Sequence, residues 1–96
     1  MAQTYRYKRS ISLPYDEQGY IYFLSRRYGR LPVWKQEKID THCRDIAGGV
    51  AAYEKGLKEF VLGGEGETAV CMRNHLSEST LRRLVQSYYE TFPKGM

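Results

Sequence analysis

The sequence predicts a mainly α-helical fold of about five helices with an N-terminal extended arm or short strand. Three observations predict it. Apolar residues recur at spacings of three and four over four separate segments, the period of a helix with one buried face. Pro32, Gly48-Gly49, Gly63-Gly64 and Pro93 fall between or after those segments, where helix breakers belong. Only residues 4–13 alternate between apolar and polar, and no second strand is present for them to pair with. A chain of 96 residues with 42% hydrophobic content suits one globular domain spanning 1–96.

Each element has a local reason. In residues 4–13, Tyr5, Tyr7, Ile11 and Leu13 share odd positions; an arm is the favoured reading, within a basic stretch over 1–15 that Pro14 ends. Asp16 is a candidate cap for a helix over residues 17–28, whose stripe is Tyr20, Phe23, Leu24 and Tyr28, with Gly29 at its C-terminal end. Pro32 opens a helix over 33–47 with Trp34, the Lys38 stem, Ile39, Cys43 and Ile46 on one face. These two make an N-terminal helical pair over 16–47. Gly48-Gly49 either separates that helix from one over 50–62, faced by Tyr53, Leu57, Phe60 and Val61, or lies inside one long helix at a cost of about 1 kcal/mol per glycine. The run Gly63-Gly64-Glu65-Gly66-Glu67 reads as a flexible joint. Two further helices follow over 67–74 and 78–91.

The last two helices carry the functional signal. Residues 68–89 read as a short helix, a tight turn at Asn74–Leu76, and a second helix begun by a Ser77 cap near Thr80. In that second helix Leu81, Leu84, Val85, Tyr88 and Phe92 form the inward stripe. The opposite face carries Ser79, Arg82, Arg83 and Gln86, side chains able to reach base edges or phosphates. This stretch resembles the recognition helix of prokaryotic helix-turn-helix proteins, where S-x-S-T-[VIL]-x-R is common in transposases, resolvases and repressors. Val70, Leu76, Leu81 and Leu84 occupy the apolar positions usual in such motifs. His75 stands where they usually place Gly, Asn74 where a buried Leu is common, and Cys71 where Ala is usual. An Asn at a helix end can take the left-handed conformation, which leaves the turn feasible.

The resemblance implies a trihelical helix-turn-helix unit over 50–92. It also implies a small sequence-specific DNA-binding protein, a transcriptional regulator or recombination accessory factor of a bacterium, phage or mobile element. Its DNA-facing set would be Ser77, Ser79, Thr80, Arg82, Arg83 and Gln86. One recognition helix spans few base pairs, so a homodimer on double-stranded DNA is the expected arrangement. The alternative is a non-catalytic helical module that binds a protein partner through its tyrosine-rich N-terminal half.

Charge fits the first reading unevenly. The net charge is +4, and residues 1–31 hold six basic side chains against two acidic ones; the remaining two thirds are balanced. Phosphate attraction would then fall to the arm, through Arg6, Lys8 and Arg9, and to the stretch Arg26-Arg27-Tyr28-Gly29-Arg30.

Other chemistries fare less well. His42 and Cys43 are neighbours that diverge by about 100° on a helix, so they do not converge with Cys71 and His75 on one tetrahedral metal. The imidazoles read as surface or turn residues and the thiols as small buried groups. No signature supports a Cys/His nucleophile. The glycine-rich joint lacks the lysine of a phosphate-cradling loop and carries two glutamates. Trp34 and the tyrosines, at helical spacing, read as core more readily than as base-stacking platforms. Glu54 and Lys58 read as a solvated helix pair. No enzymatic activity, cofactor, metal or small-molecule substrate is expected. No membrane association is expected either, since no run of 18 apolar residues occurs. The N-terminus lacks the apolar region of a secretory signal, so the cysteines are expected to be free thiols in a reducing cytoplasm.

Overall fold

The computed structural model describes Lys8 and residues 11–95. The chain is mainly helical, with α1 (Tyr15–Arg26), a 3-10 turn (Tyr28–Arg30), α2 (Val33–Ala47), α3 (Ala51–Val61), α4 (Glu67–Asn74) and α5 (Glu78–Glu90). Of the arm assigned to residues 1–15, residues 1–7, 9 and 10, and with them Arg6 and Arg9, lie outside the described residues.

The breaks follow from main-chain chemistry. Gly48 and Gly49 both take positive φ, 61° and 88°, which ends α2 and separates it from α3; the continuous helix is ruled out. Pro14, not Asp16, occupies the N-cap of α1, and its carbonyl accepts from Gln18 N–H at 3.0 Å. Asp16 and Glu17 instead lie in the first turn, where carboxylates suit the positive end of the helix. Gly29 is not a left-handed cap: α1 ends at Arg26, with Arg27 as its C-cap, and the chain tightens into the 3-10 turn that holds Gly29.

One cluster of buried residues forms the core. Ile39 and Cys43 from α2, Leu57 from α3, Val70 from α4, and Leu81, Leu84, Val85 and Tyr88 from α5 meet in it. Helix α3 packs against α2, α4 and α5. Gly56 lets the α4–α5 turn come close, since a Cβ there would sit 2.7 Å from Leu76 Cδ1. The fully buried side chains alone contribute about 1.5–3 kcal/mol each to folding.

Helix α1 departs from the predicted stripe. Its inward face is Gln18, Gly19, Ile21 and Ser25, while Tyr20 is half exposed. Two buried polar groups explain the rotation. Ser25 Oγ and Tyr88 Oη lie 2.7 Å apart across 63 residues of chain. Gln18 holds the end of the arm: its Oε1 accepts from Lys8 N–H at 3.0 Å, and its Nε2 donates to the carbonyls of Lys8 (3.0 Å), Leu13 (3.0 Å) and Ile11 (3.3 Å). Ile11, 2% exposed, plugs into the core beside this clip.

Trp34 is half exposed rather than buried, with the ammonium groups of Lys35 and Lys38 at 5.4 and 5.8 Å from a ring centroid. It sits at the N-terminal end of α2, where no helix among the described residues covers it. His42 is buried instead of being a surface or turn residue. Its Nε2 lies 2.9 Å from the Tyr88 carbonyl, and its ring packs on Tyr88 and Phe92. The surface pair Glu54–Lys58 forms as expected at 3.2 Å, and Lys58 also reaches Asp40.

Candidate functional site

The geometry of the helix-turn-helix stretch starts with its turn. The left-handed residue is His75, φ 56°, and not Asn74. Asn74 stays in the last turn of α4, where its side chain is needed inside. There its Nδ2 donates to Glu59 Oε1 and to the Val70 carbonyl, both at 2.9 Å. The amide thus occupies a buried position with its donors satisfied, which an apolar residue would fill without them. His75 absorbs the turn instead, and Leu76 N–H closes it on the Cys71 carbonyl at 3.0 Å.

Ser77 caps α5 as its sequence indicates. The Thr80 N–H donates to Ser77 Oγ at 3.1 Å, and Ser77 Oγ donates to Thr80 Oγ1 at 2.8 Å. From that start, Leu81, Leu84, Val85, Tyr88 and Tyr89 are buried, while Ser79, Arg82 and Arg83 are exposed and Gln86 is half-buried. The six candidate side chains of α5 and its cap therefore lie on or beside one outward surface.

Their charges are not equally available. Arg82 Nε is 2.8 Å from Glu67 Oε1, and its Nη2 is 3.6 Å from Glu78 Oε2. The Glu67 oxygen is occluded yet has no in-line hydrogen-bond donor, so the contact is an ion pair with imperfect alignment. At an arginine 69% exposed, such a pair is worth about 0–1 kcal/mol. Arg83 forms no ion pair among the described residues, and it is the free cation of this helix face. Gln86 Nε2 donates to Glu90 Oε2 at 3.3 Å, and the same oxygen accepts from Ser12 N–H at 2.8 Å; these bonds hold the Glu90 carboxyl below the usual carboxylate range.

Lys8 joins the site from the arm. Its Nζ lies 5.8 Å from the Phe60 ring centroid, and it borders a groove of about 260 Å3 together with Phe60, Glu67, Arg82, Val85 and Gln86. Comparison with family models, curated proteins and solved structures finds no match for this chain.

Sequence reasoning missed Glu67 as the partner of Arg82, and Phe60 as the platform under Lys8. The i,i+4 spacing of Glu78 and Arg82 was a visible signal for one of the two carboxylates; nothing in the chain order marked Glu67.

Both cysteines are buried. Burial pushes the Cys43 thiol up to about 12. Burial, then Glu67 and Glu78, raise that of Cys71. Thiols held protonated in this way are poor nucleophiles. Among the described residues no three His, Cys, Asp or Glu side chains converge as a metal site. No helix among them is long and apolar enough to cross a membrane.

Proposed function

We propose that this protein is a small sequence-specific DNA-binding protein, a transcriptional regulator or recombination accessory factor, which places α5 in the major groove of duplex DNA. The observation that carries the reading is the two-sidedness of α5. Its apolar stripe is fully committed to α3 and the core, while Ser79, Arg82 and Arg83 face solvent behind a capped N-terminus. A recognition helix needs that division, with α4 crossing the backbone beside it. Arg83 is the residue best able to meet a guanine edge; Arg82 joins it by leaving its carboxylates. Two copies bound to adjacent half-sites supply the specificity that one short helix lacks.

Binding to random duplex DNA at two salt concentrations tests the reading, followed by Arg82→Ala combined with Arg83→Ala. The expected result is affinity that falls steeply with salt and drops further in the double variant. Unchanged affinity in that variant would remove α5 from the interface. A second reading, a helical protein-interaction module, is favoured by the exposed pair Val33 and Trp34 at the start of α2. It gains if no duplex is bound even at low salt.

A further inference from the structure

We propose that the groove at the end of α1, which Arg26, Arg27 and Arg30 line together with Phe23 and Gly29, binds backbone phosphates of the same duplex that α5 reads. It forms the far end of one cationic track. The proposal rests on the reading of α5 given above.

Three observations carry it. The groove, about 510 Å3, has no carboxylate in its lining, whereas each of the other four grooves described carries at least one. Two of its three cations are without a carboxylate partner among the described residues. Arg26 is held in place, its Nη1 donating to Tyr22 Oη at 3.3 Å and its guanidinium packed over Gly64, where any Cβ would collide with it. Arg27 and Arg30 are exposed and form no ion pair among the described residues, unlike Lys58, Arg73 and Arg82. Gly29 leaves open space above the main chain, so a phosphate oxygen can approach closely.

The groove is also continuous with the α5 surface. Lys8 and Phe60 border both the groove beside Arg82 and the adjoining one, which Tyr22 and Arg26 also border; Arg26 then borders the arginine groove. Arg82, Lys8, Arg26, Arg27 and Arg30 thus follow one another along neighbouring depressions. Glu65 also borders this path, and it shares Arg73 with Glu59, at 2.7 and 3.0 Å. The Cα framework extends 31 Å along its longest axis, comparable to the roughly 34 Å of one turn of duplex, so a longer duplex lying on α5 reaches past it. Specific contact at α5 with unspecific contact at the arginine groove is the usual division between base reading and phosphate positioning.

The test uses the full chain, with fluorescence anisotropy on two duplexes of unrelated sequence across a salt series. In Arg27→Ala combined with Arg30→Ala, both exposed positions, circular dichroism checks that the fold is kept. Two lost phosphate contacts should reduce the slope of log K against log salt by about 1.8, at about 0.9 per contact. The loss of affinity should be the same for both duplexes. Inorganic tripolyphosphate, titrated against the wild type and followed through arginine side-chain NMR signals, reports on the groove without DNA. Shifts at Arg27 and Arg30 are expected.

An unchanged slope in a protein that still binds duplex overturns the track and leaves the α5 reading standing. Tripolyphosphate shifts in a protein that binds no duplex retain an anion groove but overturn both its assignment to DNA and the α5 reading. Absence of both signals overturns everything proposed for this surface.

Discussion

Replacing Gln18 with alanine removes the clip between α1 and the arm. The side-chain amide has two N–H donors for three carbonyls, and Ile11 O at 3.3 Å is the longest of the three contacts. Two donated bonds and one accepted from Lys8 N–H therefore set the scale, at about 1 kcal/mol net for each of the three. Part of that is recovered when the arm lifts and its main chain meets water, so the expected loss is about 2–3 kcal/mol. Lifting the arm also exposes Ile11, whose truncation to alanine alone should cost about 2–4 kcal/mol. Both substitutions act on one docking event, so the double variant should cost clearly less than the sum of the singles. Urea unfolding measures all three, and hydrogen exchange at the Lys8 amide should lose protection in Gln18→Ala. A loss below about 0.5 kcal/mol, or strict additivity with Ile11→Ala, would refute the clip as the element that docks the arm.

Three further outcomes are expected. Burial lowers the His42 pKa, opposed in part by its bond to the Tyr88 carbonyl and by Asp45. The folded value therefore lies below the unfolded one near 6.5. Stability should be level above that pH and fall as pH drops through it, because the unfolded chain takes up the proton first. Urea midpoints at pH 7.5 and 5.5 should show the fall, and His42→Gln should remove most of it. Tyr88→Phe leaves Ser25 Oγ buried without a partner and should cost about 1–2 kcal/mol, much of it restored by adding Ser25→Ala; a double variant as unstable as the sum of the singles would count against the pair. Glu67→Gln frees Arg82 from a surface ion pair worth at most about 1 kcal/mol, so duplex affinity should rise up to about 5-fold. A fall in affinity would place Glu67 on the side of DNA binding instead.

The positions of the helices were legible because proline, paired glycine and the Ser77 cap act locally. Helix α5 was legible in most of its inward side chains, since its apolar stripe is long; Tyr89, also buried, lies beside that stripe and was not marked by it. Helix α1 was not. Its four large apolar residues suggested one face, but the buried face is built on Gln18 and Ser25, whose partners are the main chain of the arm and a tyrosine 63 residues away. Polar burial of this kind has no periodic signature. The same reason hid His42. Trp34 misled in the other direction: helical spacing marked it as core, yet no element among the described residues covers the start of α2. In the candidate site, the outward set on α5 was readable, whereas the pairing of Arg82 with Glu67 depends on how α4 and α5 cross.

Gln18 recognises the arm through carbonyls and an amide that every residue type except proline possesses. Beside these main-chain bonds, the side chains that attach the stretch are Ile11, Leu13 and Lys8, the last through Phe60. Substitutions elsewhere along this leader can alter its surface chemistry while its attachment to the helical body persists, so one scaffold could carry leaders of quite different character.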